Sequence, residues 1–177
     1  LPYNRGKGYA VKRGVLDAQG KIVLFTDADG STPVSEIEKN LHFFNEGYDM
    51  VIGSRVIEGA KVKALSYRRW MGTIFNSCVH TFLIKDIKDT QCGFKMFRRS
   101  IISPLWARVY LNGFGFDLEV LYLAHQLGYK IKECPVAWTH VDGSKIRLLR
   151  DSWRMLINIF QIRNWHYLPI NRKAEHM

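Results

Sequence analysis

Residues 21–26, KIVLFT, form a near-continuous apolar run that leads straight into Asp27-Ala28-Asp29-Gly30. Such a run reads as a strand buried on both faces, the kind found inside a layered α/β sheet. It constrains chemistry as well as fold, because ligands of open α/β sheets bind outside the carboxyl ends of strands. Two carboxylates one residue apart, on a turn leaving a strand, can approach one hard cation together. Mg²⁺ is commonly held by one or two carboxylates plus substrate phosphates. Asp27 and Asp29 also fit an ordinary turn before Gly30 and a helix cap, since Asp favours both places. The strand before them tips the balance toward a metal.

The remaining pattern alternates short β-like runs with helical stretches, so the chain is expected to be α/β. Helices are expected over residues 9–18, from Ser31-Thr32-Pro33 through Ile37, Leu41 and Phe44, and over 67–84, 116–127 and 145–162. Strands are expected over 49–53, 93–98 and 129–138. Only one helix precedes the strand-end carboxylates, so the layout suggests a sheet whose N-terminal strands are missing from the chain. We divide it into residues 1–143, the main domain, and 144–177, a basic amphipathic helix and tail.

Composition narrows the partners. At 177 residues and 47% hydrophobic, the chain is no disordered protein. Three scattered cysteines make no disulfide framework and no CxxC pair. No apolar run reaches the ~18–20 residues of a membrane span. The 26 Lys and Arg against 16 Asp and Glu leave a net charge of +10, which calls for an anionic partner: nucleic acid, a membrane surface or a phosphorylated substrate.

Five further segments bear on function. Asn4-Arg5-Gly6-Lys7-Gly8 opens a helix with glycines and a lysine, which suits a phosphate or simply a turn; it lacks Walker A spacing. Arg55, in Gly53-Ser54-Arg55 after a strand, is placed to reach a diphosphate or to sit in a surface loop. In Asp89-Thr90-Gln91-Cys92-Gly93-Phe94-Lys95 the polar groups and the small Cys-Gly pair suggest a tight bend lining a pocket; Asp89 fits a turn equally well, and Cys92 reads as a small buried filler rather than a nucleophile. Asp117 and Glu119 flank a helix start, where capping explains them; acceptor binding or base catalysis is the alternative. From Gly143 onward, Lys145, Arg147, Arg150, Arg154 and Arg163 alternate with Trp153, Ile157, Phe160 and Trp165. Basic residues beside an apolar face with aromatic ends describe a helix lying in a membrane interface, or an ordinary core helix with a solvated basic face. Tyr67-Arg68-Arg69-Trp70 has similar chemistry.

Taken in order, the strings NRGKGYAVKRG, FTDADGST, IGSR, DTQCGFKMF, FGFDLEVLYLA and PVAW…DGSK resemble glycosyltransferase family 2, most closely its polyprenyl-phosphate glucosyltransferase branch and more distantly the mannose synthases. The resemblance implies a GT-A-like mixed sheet flanked by helices. It implies donor-binding roles for Lys7, Asp27, Asp29 and Arg55, with Asp27 and Asp29 holding Mg²⁺ or Mn²⁺. Asp89 and Gln91 would line the pocket under the transferred sugar; with Asp117, read from its place at the helix start, they make the candidate catalytic set. Arg69, Lys145 and Arg147 would meet the acceptor phosphate. The partners implied are a nucleotide sugar (UDP-glucose favoured, GDP-mannose possible), a polyprenyl phosphate and the cytoplasmic face of a membrane, with no nucleic acid. Trp138-Thr139-His140-Val141-Asp142 stands where the mannose synthases carry an Arg, which favours the glucosyl branch. Two rival readings are the same chemistry on a soluble acceptor, and a non-catalytic basic module. The second would have to explain paired carboxylates that repel phosphate unless a metal intervenes.

Overall fold

The computed structural model describes residues 3–63, 79, 83–141 and 148–166. The elements run α1 (Lys7–Asp17), β1 (Ile22–Thr26), α2 (Glu36–Asn40), α3 (His42–Asn45), β2 (Met50–Ser54), β3 (Lys61–Lys63) and β4 (Phe94–Arg98). They continue with α4 (Arg99–Trp106), α5 (Phe116–Gln126), β5 (Ile131–Pro135), β6 (Ala137–Thr139) and α6 (Leu148–Trp165).

Four strands form a mixed sheet in the order β1-β4-β2-β5. The β4 strand is antiparallel to both β1 and β2, while β2 and β5 are parallel. The carboxyl ends of β1, β2 and β5 therefore share one edge with the start of β4, and that edge is where the site lies. Alternation along the strands sends Val23, Phe25, Met50, Ile52 and Phe97 into one core, beneath Val15 of α1, the apolar side of α4, and α5 and α6. Val51, Phe94 and Met96 go to the other face, with Phe44 of α3 and Ile37 of α2. The result is three layers, helix on sheet on helix, as the α/β pattern implied.

The expected single strand over 129–138 is two strands in two sheets. β5 ends at Pro135, opposite Ser54, and the next N–H, that of Val136, still donates to the Ser54 carbonyl at 3.2 Å. The chain then pairs β6 with β3 in a separate parallel sheet. The helix expected from Ser31 begins only at Glu36, after a loop pinned by Thr139 N–H to the Ser31 carbonyl. It also divides at Leu41: the Asn40 amide donates to the Glu36 carbonyl, and Phe44 N–H reaches back three residues to Leu41. Helix α4 was not foreseen, because Pro104 lies inside it; Ile101, Ile102, Leu105 and Trp106, all buried, were the available signal. Most of the helix expected over 67–84, including Arg69, lies outside the described residues.

Candidate active site

The edge is built around Gly93. Its carbonyl accepts the Asp27 N–H at 2.9 Å, and the Asp27 carboxylate fills the space a Cβ would take. A side chain at residue 93 would therefore displace the Asp27 carboxylate from its place. From α1, Lys7 places its ammonium 2.7 Å from Asp27 Oδ1, and Phe25, Phe114 and Phe116 ring that ammonium at 5.4, 5.7 and 5.8 Å. Lys7 and Asp27 each remain about a third open to solvent. Asp29 Oδ1 accepts the Ser31 N–H at 2.9 Å, and Gly30 makes the turn at φ +71°.

These two carboxylates suit a hard divalent cation. Both offer oxygen donors at a strand end, and each has one oxygen already oriented by the fold. Among the described residues no cluster of three His, Cys, Asp or Glu is gathered for a metal. Asp27 and Asp29 would hold the ion, and substrate phosphates commonly supply further oxygens to such a site. A cation there would share Asp27 with Lys7.

At the end of β2, Arg55 meets Asp89 in a fork: Nε to Oδ2 at 2.8 Å and Nη2 to Oδ1 at 2.9 Å. The Arg55 backbone N–H and the Gln91 N–H also donate to that carboxylate, and the Trp138 ring lies 5.6 Å from the guanidinium. Behind the pair, Glu133 accepts the Lys88 and Asp89 N–H groups. Burial alone would raise the Asp89 pKa, but Arg55 outweighs it and holds the carboxyl below its ordinary 3.8. A carboxylate so occupied orients Arg55 and is no proton acceptor at neutral pH. The sign for stability follows. The folded value lies below the unfolded one, so the contribution is complete above about pH 4 and is lost as pH falls through the folded value. Asp89→Asn is therefore expected to lower the denaturant midpoint at pH 7 and to flatten its fall below about pH 4. A parent-like acid profile in the variant would contradict this.

Beside the pair, Thr90 Oγ1 and Gln91 Nε2 are buried without a hydrogen-bond partner among the described residues. Cys92 is fully buried and its thiol is pushed up to about 11 by burial, so it is the filler the sequence suggested. Asp117 is buried too: its Oδ1 lies 2.6 Å from the Lys95 ammonium, with the two side chains 4% and 1% exposed. Burial raises the Asp117 pKa against the opposing pull of Lys95. The pair faces the interior, so Asp117 anchors Lys95 instead of opening to an acceptor. Lys95, which also donates to the Cys92 carbonyl, closes the segment from Asp89 but was given no role from the sequence; a lone lysine inside FKMFR was the signal. The structure thus brings Lys7, Asp27, Asp29, Arg55, Asp89, Gln91 and Asp117 to one end of the sheet. Lys145 and Arg147, like Arg69, lie outside the described residues.

A mixed α/β sheet with paired carboxylates and cations at this edge defines the GT-A-like class of nucleotide-sugar glycosyltransferase fold. Solved structures agree. Glucosyl-3-phosphoglycerate synthase from Mycobacterium tuberculosis in complex with phosphoglyceric acid superimposes with a TM-score of 0.67 at 17% identity, over 92% of this chain and 56% of that one. The same enzyme in complex with Mn²⁺, UDP-glucose and phosphoglyceric acid gives 0.65 at 17%, over 93% and 57%. The family model of glycosyl transferase family 2 matches residues 1–106, and the chain belongs to that family. Among curated relatives, dolichyl-phosphate β-glucosyltransferases from Dictyostelium discoideum and Saccharomyces cerevisiae are each 38% identical over 96% of this chain. The chain spans 54% and 55% of their lengths, about half of the relatives it matches.

Proposed function

We propose that the chain forms the donor side and part of the acceptor side of an inverting glycosyltransferase that moves glucose from UDP-glucose to dolichyl or another polyprenyl phosphate. The observation that carries this reading is the meeting of two charge pairs at one sheet edge, Lys7 with Asp27 after β1 and Arg55 with Asp89 after β2. The names of the curated relatives support the acceptor and the sugar; the neighbour complexed with Mn²⁺ and UDP-glucose supports the donor and the metal.

In this reading Asp27 and Asp29 hold Mg²⁺ or Mn²⁺, which when bound would neutralise charge on the departing nucleoside diphosphate. Arg55, fixed in plane by Asp89, turns its remaining N–H groups to the same phosphates, and Lys7 reaches them from the first turn of α1. Gln91, beside Asp89, is proposed to lie under the transferred sugar. The acceptor is a phosphate monoester with a second pKa near ~6, so it is already largely anionic at neutral pH. It needs orientation and charge neutralisation more than a base, which suits an Asp117 sealed against Lys95. Arg69, Lys145 and Arg147 are proposed to hold that phosphate.

A site on the cytoplasmic face of a membrane fits helix α6. Its outer face exposes Arg154, Ile157, Phe160, Arg163 and Trp165, while Ile159 and Ile162 pack into the core. No helix among the described residues is long and apolar enough to cross a bilayer.

The test is transfer from UDP-glucose and from GDP-mannose, to polyprenyl phosphate in vesicles and to phosphoglyceric acid in solution. It should be run on this chain and on any longer natural form that contains it. Glucosyl transfer to the lipid alone is expected. Transfer only to the soluble acceptor, or only from GDP-mannose, would contradict the reading.

A further inference from the structure

We propose that Glu119 and His166 are positioning residues for Lys7, acting through the loop of residues 109–114; the proposal rests on the donor-site reading above. Glu119 is fully buried two residues beyond Asp117, and its carboxylate gathers three donors. Tyr110 N–H lies 3.0 Å from both oxygens, Leu111 N–H lies 2.7 Å from Oε2, and His166 Nε2 lies 2.7 Å from Oε1. His166 follows α6, is itself buried, and stacks flat on the Tyr110 ring with centroids 5.4 Å apart. Trp165 meets the same ring edge-on. The buried carboxylate thus grips the loop from behind and ties it to the end of the last helix.

On its other side the loop cradles the start of α1. The Asn112 carbonyl accepts the Tyr9 N–H at 3.3 Å, and the Val109 carbonyl accepts the Lys12 ammonium at 2.7 Å. Gly6 and Gly8 lie so close to the Asn112 and Leu111 carbonyls that a side chain at either would collide with the loop backbone. Phe114 belongs to the ring cluster around the Lys7 ammonium. A continuous path of bonded and touching groups therefore runs from His166 through Glu119 and residues 110–112 to the turn that aims Lys7 at Asp27. None of these groups except Lys7 borders the carboxylates, so their part is to hold its position. A buried carboxylate that loses one of its donors loosens the groups it holds, and a first turn displaced by about 1 Å misaligns the lysine it carries.

The experiment compares the parent with His166→Ala, His166→Gln and Glu119→Gln by amide hydrogen exchange and by kinetics with UDP-glucose. His166→Ala and Glu119→Gln are expected to speed exchange at Tyr110, Leu111 and Tyr9 while β2 keeps its protection. They are expected to raise the KM for donor about tenfold with kcat within about twofold, the pattern of lost donor binding. His166→Gln, whose amide can donate to Glu119, should restore most of both. Faster exchange confined to the end of α6, with Tyr9 unchanged, would overturn the proposal whether or not the chain transfers glucose. Exchange that spreads to Tyr9 in a parent showing no nucleotide-sugar chemistry would leave the path standing and remove the donor-site reading instead. A kcat loss at unchanged KM would also overturn it, by moving the effect from donor placement to the chemical step.

Discussion

Asp29→Asn is expected to lower sugar transfer by about 10²–10³-fold, the scale of removing one group that stabilises charge developing in a transition state. Asparagine keeps an oxygen that can accept the Ser31 N–H, so the turn through Gly30 is expected to survive and circular dichroism to match the parent. What is lost is the charge. Asp27 is already shared with Lys7, so Asp29 brings the anionic oxygen with no ionic partner among the described residues. Raising Mn²⁺ should recover part of the lost rate if the defect is weaker metal binding. A variant with parent-like rates would remove Asp29 from the site.

Lys95→Met is expected to be the most destabilising single change, by about 3–5 kcal/mol, because it strands a buried carboxylate without its cation. Lys95 and Asp117 are 1% and 4% exposed, so neither can turn to water once its partner is gone. The double change Lys95→Met with Asp117→Leu should recover most of the loss, since replacing both members of a buried pair with apolar groups is often neutral or better. Denaturant midpoints for the singles and the double measure this directly. If Lys95→Met alone costs less than about 1 kcal/mol, the pair is solvated and its proposed anchoring role fails.

The sheet's site edge was legible because its signals are local. KIVLFT followed by DAD states a buried strand and its charged end in consecutive letters, and Lys7 and Arg55 stand beside a glycine and a strand end of the same kind. Cys92 could be read as filler from its small, apolar character. The pairings were not legible, because they join residues far apart in the chain. Lys95 lies 22 positions from Asp117, and Glu119 lies 47 from His166. In the letters Glu119 was one of two acids at a helix start; only the fold shows that it caps a loop instead. The split of residues 129–138 falls at Pro135, yet a proline in the letters does not say which sheet the chain joins next. Helix α4 was hidden by Pro104, whose missing N–H outweighed four apolar residues at helical spacing.

The central claim is that the edge formed by β1 and β2 binds a nucleoside diphosphate through a metal on Asp27 and Asp29. Its most direct test is calorimetric titration of UDP into the chain, with Mn²⁺ and with chelator, beside Asp29→Asn. The expected result is binding that requires the metal and is lost in the variant. Binding of equal strength with chelator and in Asp29→Asn would contradict the account, because the nucleotide would then be held somewhere other than the carboxylates that end β1.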